Sequence, residues 1–135
     1  MYQKVLVIGR VGQDPELRYT ASGQAVCNFS VAANQRWKDS QTGEDREKTV
    51  WFRVTTWGPQ AETCEKYLSK GRLVMVEGAI EQAHAWVGND GQPRASIELT
   101  ARVVRFLSSP DQGQSRTETG EFDVPPLPAE EDLPF

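Results

Sequence analysis

Between Thr49 and Trp57 two kinds of side chain alternate: Val50, Phe52 and Val54 in one register, Trp51, Arg53, Thr55 and Trp57 in the other. Successive residues of a β-strand point to opposite faces, so a strand here has one face suited to a core. The second face carries two indoles and a guanidinium with no other apolar residue among them. A sheet packed on one side and aromatic on the other is therefore the frame for the rest of the chain.

The flanking segments extend that frame. Residues 4–11 form a β-branched and aliphatic run broken at Gly9 and Gly12, which fits a bent strand. After the Asp14-Pro15 turn, Leu17 to Thr20 begins another strand, and Ser22-Gly23 allows a tight turn or bulge. From Ala25 to Ala33, Cys27, Phe29, Val31 and Ala33 alternate with Asn28, Ser30 and Ala32, which predicts one buried and one wet face. Residues 38–48 are almost wholly polar and are predicted to form an exposed loop.

Pro59 to Lys70 predicts the one helix, with Pro59 at its start, Ala61, Cys64 and Leu68 at helical spacing, and Gly71 as a stop. Leu73 to Trp86, interrupted at Gly78, and Ala95 to Leu107, burying Ile97, Leu99, Ala101 and Val103, read as strands joined by a hairpin turn at Gly88-Asn89-Asp90-Gly91. Three strand units, a helix and two strands predict an all-β fold. That order matches a five-stranded OB-fold barrel with one helix between strands 3 and 4, whose surface is widely used for oligonucleotides and oligosaccharides.

The 135 residues suffice for one domain with a modest core. Residues 1–107 are assigned to the barrel. Residues 108–129, rich in Ser, Gly, Gln, Thr, Pro and acids, cannot bury enough surface to offset ordering and are predicted to be a disordered linker. Residues 130–135 end the chain as Glu130-Glu131-Asp132-Leu133-Pro134-Phe135, three carboxylates running into an apolar, proline-stiffened tip. Such a tip suits a basic-rimmed apolar pocket on another protein, with Asp132, Leu133, Pro134 and Phe135 as the partner-binding residues.

Charge divides along the same boundary. Residues 108–135 hold seven acids against Arg116 alone, so the remainder carries a small positive surplus within the overall net charge of −4. A slightly basic body with an acidic tail points toward nucleic acid or an acidic partner. Cys27 and Cys64 lie far apart in no metal-ligand spacing and are predicted to be buried small apolar residues in a reducing compartment; His84 is the only histidine. Neither a metal site nor a nucleophile–base pair is foreseen, no cofactor is expected, and the chain does not read as an enzyme. No apolar run approaches membrane-spanning length, so an intracellular, cytoplasmic protein without membrane contact is expected.

The four tryptophans carry the functional reading. Trp37 is flanked by Arg36 and Lys38, Trp51 and Trp57 bracket Arg53, and Trp86 ends a hairpin arm. Indole faces stack on unpaired bases for about 1–3 kcal/mol each, and neighbouring cations neutralise phosphates. Core or subunit-contact roles are the structural alternative, and an oligosaccharide-binding domain is the functional one.

The run Lys4-Val5-Leu6-Val7-Ile8-Gly9-Arg10-Val11-Gly12-Gln13-Asp14-Pro15-Glu16-Leu17-Arg18-Tyr19, then Trp51-Phe52-Arg53-Val54, Tyr67-Leu68-Ser69-Lys70-Gly71 and Glu77-Gly78, resembles the bacterial single-stranded DNA-binding protein family. The resemblance covers nearly all of residues 1–107, and the Leu-Pro-Phe tip resembles that family's ending. It implies a homotetramer wrapped by single-stranded DNA (ssDNA) on Trp37, Trp51, Trp57 and Trp86, with Arg53 and Lys70 touching phosphates. It also implies recruitment of replication, recombination and repair proteins by the tip. A primosomal, protein-interaction role is the neighbouring alternative, for which the tip would be superfluous. Two departures remove positive charge: the arm before Trp86 reads Glu81-Gln82-Ala83-His84-Ala85, and Pro59 stands where relatives often carry lysine.

Overall fold

The computed structural model describes residues 1–108, so the predicted tip and all of the predicted linker but Ser108 lie outside the described residues. Strand β1 (Val5–Val11) is followed by β2 (Glu16–Tyr19), β3 (Ala25–Lys38) and β4 (Asp45–Trp57). Helix α1 (Pro59–Tyr67) then leads to the hairpin of β5 (Leu73–Val87) and β6 (Pro93–Phe106). The sheet runs β1-β5-β6-β4-β3 and closes through Arg10↔Ala32 and Val11↔Val31. Where β1 leaves β3, β2 takes over the pairing from Glu16↔Asn28 to Tyr19↔Ala25, so β1 and β2 share one bent strand position. Pairing is antiparallel except between β4 and β6. This is the expected five-stranded OB barrel, with α1 between its third and fourth strand positions.

The core follows the apolar registers read above except on β6. There Leu99, Ala101 and Val104 are buried while Ile97 and Val103, expected in the core, are only half-buried because the β5–β6 register shifts at Glu77/Gly78. Cys27, Phe29 and Val31 of β3 meet Val54 of β4, Val74 and Val76 of β5 and Leu99 of β6, with Ala61, Cys64 and Leu68 closing one end. Phe52 packs against this cluster, whereas Val50 is only half-buried, and Thr56 takes the next buried position on β4. Burial pushes the Cys27 thiol up to about 12, helped by the neighbouring Cys64, and burial pushes Cys64 up to about 11. Both are therefore packing groups, as expected.

Three further local expectations are corrected. The predicted loop 38–48 is largely a two-stranded ribbon: β3 and β4 stay paired out to Lys38↔Asp45, leaving only residues 39–44 as the turn. Ladder hydrogen bonds need no apolar side chains, and opposite charges facing one another (Arg36 with Glu47 at 3.6 Å) suit a polar hairpin.

The helix ends at Tyr67 rather than Lys70 because the next residues are pulled onto β1. Leu68 turns extended, Gly71 N–H donates to Val11 O at 2.7 Å, Val11 N–H donates to Arg72 O at 2.9 Å, and Lys70 N–H donates to the Asp14 carboxylate at 2.9 Å. The glycine at 71 has φ +90°, a left-handed conformation that follows from this return.

The third correction concerns β3, which is buried on both faces from Ala25 to Ala32 and so has no wet side there. Val26 (3% exposed), Asn28, Ser30 and Ala32 lie outside the core, covered by side chains of neighbouring strands.

Candidate nucleic-acid interface

The cover over β3 is the aromatic face of β4. In an antiparallel ladder paired residues point to the same side, and the register sets Trp51 beside Ala32, Arg53 beside Ser30, Thr55 beside Asn28 and Trp57 beside Val26. Small residues on β3 thus lie next to large ones on β4. At Gly12, just past β1, a Cβ would stand 2.6 Å from Trp51 Cζ3 and 2.8 Å from Ser30 Oγ. The Trp51 ring therefore lies across bare backbone, and Gly12, read from sequence as a bend, also serves as the floor of an aromatic seat. Trp51 is half-buried, while Trp57 keeps 43% exposure.

The face continues across the barrel in both directions. Toward β6, Arg53 pairs with Glu98 in the parallel ladder, and Nη1 of Arg53 lies 3.4 Å from Oε1 of Glu98. Toward β5, the register Gln82↔Glu98, His84↔Ser96 and Trp86↔Arg94 sets Trp86 on this same face. The His84 and Trp86 rings stack at 5.7 Å with planes 24° apart. Toward β2, Arg18 is opposite Val26, itself opposite Trp57, so a guanidinium and an indole flank a buried valine across three strands. Between them opens a cavity of about 500 Å³, lined by Arg18, Tyr19, Asn28, Arg53, Trp57 and Glu98 among others. Thr55 Oγ1 donates to Asn28 Oδ1 at 2.8 Å, which fixes the polar floor of this cavity.

Of the tryptophans singled out in the sequence, the fold brings Trp51, Trp57 and Trp86 to one face with Arg53. Trp37 does not share it. It lies opposite Arg46 in the register that continues Cys27, Phe29 and Val31, on the reverse side of the ribbon from Trp51. There it is 48% exposed and lines a second cavity of about 600 Å³ with Arg36, Lys38 and Arg46. Arg36 and Lys38 are sequence neighbours of Trp37, but the register puts them in the alternate set, facing Glu47 and Asp45. Lys70 is exposed in the turn after α1, tied by its backbone to Asp14, at the barrel corner beyond Gly12.

Sequence reasoning missed Arg18, Tyr19, Asn28 and Glu98 as members of the surface, whereas Thr55 lies on it as the alternation of residues 49–57 implied. Arg18 could have been found from its place in a strand beside an exposed tyrosine. Glu98 carried no local signal, since only the parallel β4–β6 pairing brings it to Arg53. Among the described residues no cluster of His, Cys, Asp or Glu is arranged to hold a metal ion, and no helix is long and apolar enough to cross a membrane.

The family model described as the single-strand binding protein family matches residues 2–107. Among solved structures the chain is similar to the Plasmodium falciparum SSB in complex with ssDNA, at 33% sequence identity and a TM-score of 0.66, covering 80% of this chain and 97% of that one.

The seat of Trp51 generates a direct test. Gly12→Ala puts a methyl group into the ring, and overpacking of this kind costs about 1–3 kcal/mol. The ring is expected to lift, shifting tryptophan emission to the red in the wild-type background and leaving it unchanged in a Trp51→Phe background. An equal shift in both backgrounds would contradict the seat.

Proposed function

The chain belongs to the single-strand binding protein family, and from that membership we infer that it binds and protects single-stranded DNA without regard to base sequence and without catalysis. The observation that carries this reading is the outer face of β4, where Trp51 and Trp57 bracket Arg53 and which Trp86 extends across β6. Bases released from a duplex present π-faces of every kind, and an indole stacks on all of them. Arg53, Arg18 and, at the corner, Lys70 are assigned to the phosphates between stacked bases. Trp37, with Arg36 and Lys38, is assigned to a second contact on the ribbon, reached when the strand passes from the barrel to the reverse side. The neighbouring structure, an SSB with ssDNA bound, supports the same reading.

Three finer assignments belong to this proposal. Residues 1–107 act as the DNA-binding domain and residues 130–135 as a docking tip for replication, recombination and repair proteins, joined by residues 108–129; a nucleoid-associated, cytoplasmic setting follows from these partners. The barrel assembles as a homotetramer. In support of assembly, Leu6 and Ile8 are 55% and 52% exposed on β1, and residues 5–9 pair with β5 on one side and with no strand on the other among the described residues. An open apolar edge of this kind is a template on which another chain can pair.

The double variant Trp51→Ala, Trp57→Ala tests the stacking. Two indoles at about 1–3 kcal/mol each give an expected loss of about 2–6 kcal/mol in affinity for dT oligomers, read by titration. A loss below about half a kcal/mol would return both rings to a structural role. Deleting residues 130–135 tests the division of labour: dT affinity and the sedimenting mass, expected to be that of four chains, should both survive. Loss of DNA binding would contradict the domain assignment, and sedimentation of the full chain as a single protomer would contradict the tetramer.

A further inference from the structure

One acidic group sits in the middle of this face. Glu98 of β6 is held from both sides: Oε1 lies 3.4 Å from Nη1 of Arg53 on β4, and Oε2 accepts a hydrogen bond from Nε2 of Gln82 on β5 at 2.8 Å. The Arg53 and Glu98 side chains keep only 19% and 21% exposure, so neither head group is a loosely solvated surface charge. Glu98 also lines the cavity flanked by Arg18 and Trp57, where a backbone following the aromatic rings would bring its phosphates.

We propose that Glu98 is a counter-ion built into the DNA face, which holds Arg53 against β6 and competes with phosphate for it. The inference rests on the ssDNA reading above and deepens it, since it names the residue that limits how tightly that site grips.

The electrostatics have a definite sign. A phosphate approaching Arg53 meets a guanidinium already opposed by a carboxylate, and it also meets that carboxylate's own charge. Coulomb repulsion between like charges is weakly screened where solvent access is reduced. Glu98 has little freedom to swing clear, because Gln82 anchors its other oxygen. Binding must then either leave Arg53 on Glu98, so that no counterion is released there, or break the pair. In both cases the site neutralises less phosphate charge than its basic residues would allow. The pairing also explains how a guanidinium flanked by two indoles is kept oriented in the free protein, where no phosphate is present. Restraint of this kind suits a protein that must release its strand to other enzymes, because affinity differences within one interface lie mostly in the off-rate.

Glu98→Gln removes the charge while keeping the shape and one acceptor. The test is titration of full-length chains with dT oligomers over a range of salt concentrations. E98Q is expected to bind more tightly at low salt, with a log–log salt slope steeper by about 0.7, the amount for one further phosphate neutralised on a single strand. Its advantage then shrinks about fivefold for each tenfold rise in salt, by the same slope. In an Arg53→Gln background the added steepness is expected to vanish. Thermal melting followed by circular dichroism checks that each variant folds; if E98Q does not, Glu98→Ala deletes the carboxylate with the same expectation.

Equal or weaker binding by a folded variant, with the slope unchanged, would overturn the inference and leave the ssDNA reading standing. The same steepening without Arg53 would also overturn it. A wild-type chain that bound no dT oligomer would overturn the ssDNA reading and this inference together.

Discussion

Burial of β3 on both of its faces is the constraint on which the rest of the molecule depends. Inward, Cys27, Phe29 and Val31 fill the barrel; outward, Val26, Asn28, Ser30 and Ala32 are covered by Arg53 and the indoles of β4. Close packing on the outer side needs large groups set against small ones, and that is how the two strands are composed. Ser30, Ala32 and the bare backbone of Gly12 leave room for Trp51. A ring seated in this way is ordered before any ligand arrives, so less side-chain freedom remains to be lost on binding. The barrel is thus a rigid support for an aromatic surface, and its stability and proposed function are set by the same strand.

That surface also shows why local charge counting is a poor guide to grip. Arg53 is central to it, yet its guanidinium is opposed by Glu98 within the free protein. Arg36 and Lys38 face Glu47 and Asp45 across the ribbon. The arm leading to Trp86 offers Glu81 and Gln82, with His84 stacked on the indole itself. Stacking therefore carries a larger share of the proposed binding than the basic residues do, in keeping with a body whose positive surplus is small.

Much of the architecture was legible in the sequence because it rests on short-range periodicity. The alternation in residues 49–57, the turn at Gly88–Gly91 and the helical spacing of Ala61 and Cys64 each report a local geometry, and each is found, although Leu68 is buried from an extended position just past the helix. What escaped depends on pairing partners far away in the chain. The ribbon beyond Ala33 is held by backbone ladder bonds that leave no apolar signature. The outward burial of Asn28 and Ser30 follows from their partners Thr55 and Arg53, more than twenty residues downstream, and the early end of α1 follows from β1 reaching the Gly71 turn. The candidate site divides in the same way. Trp51, Arg53 and Trp57 share a face because they share a strand, whereas the separation of Trp37 and the arrival of Glu98 depend on register between strands.

The central claim, that unpaired bases stack on the face formed by β4, β6 and the β5 arm, is tested most directly by the indole N–H signals of ¹⁵N-labelled tryptophan during titration with a dT oligomer. The account expects the signals of Trp51, Trp57 and Trp86 to move together and to saturate at one ratio of oligomer to protein. If those three stayed in place while backbone signals around Leu6 and Ile8 moved instead, the strand would be bound elsewhere and the account would be contradicted.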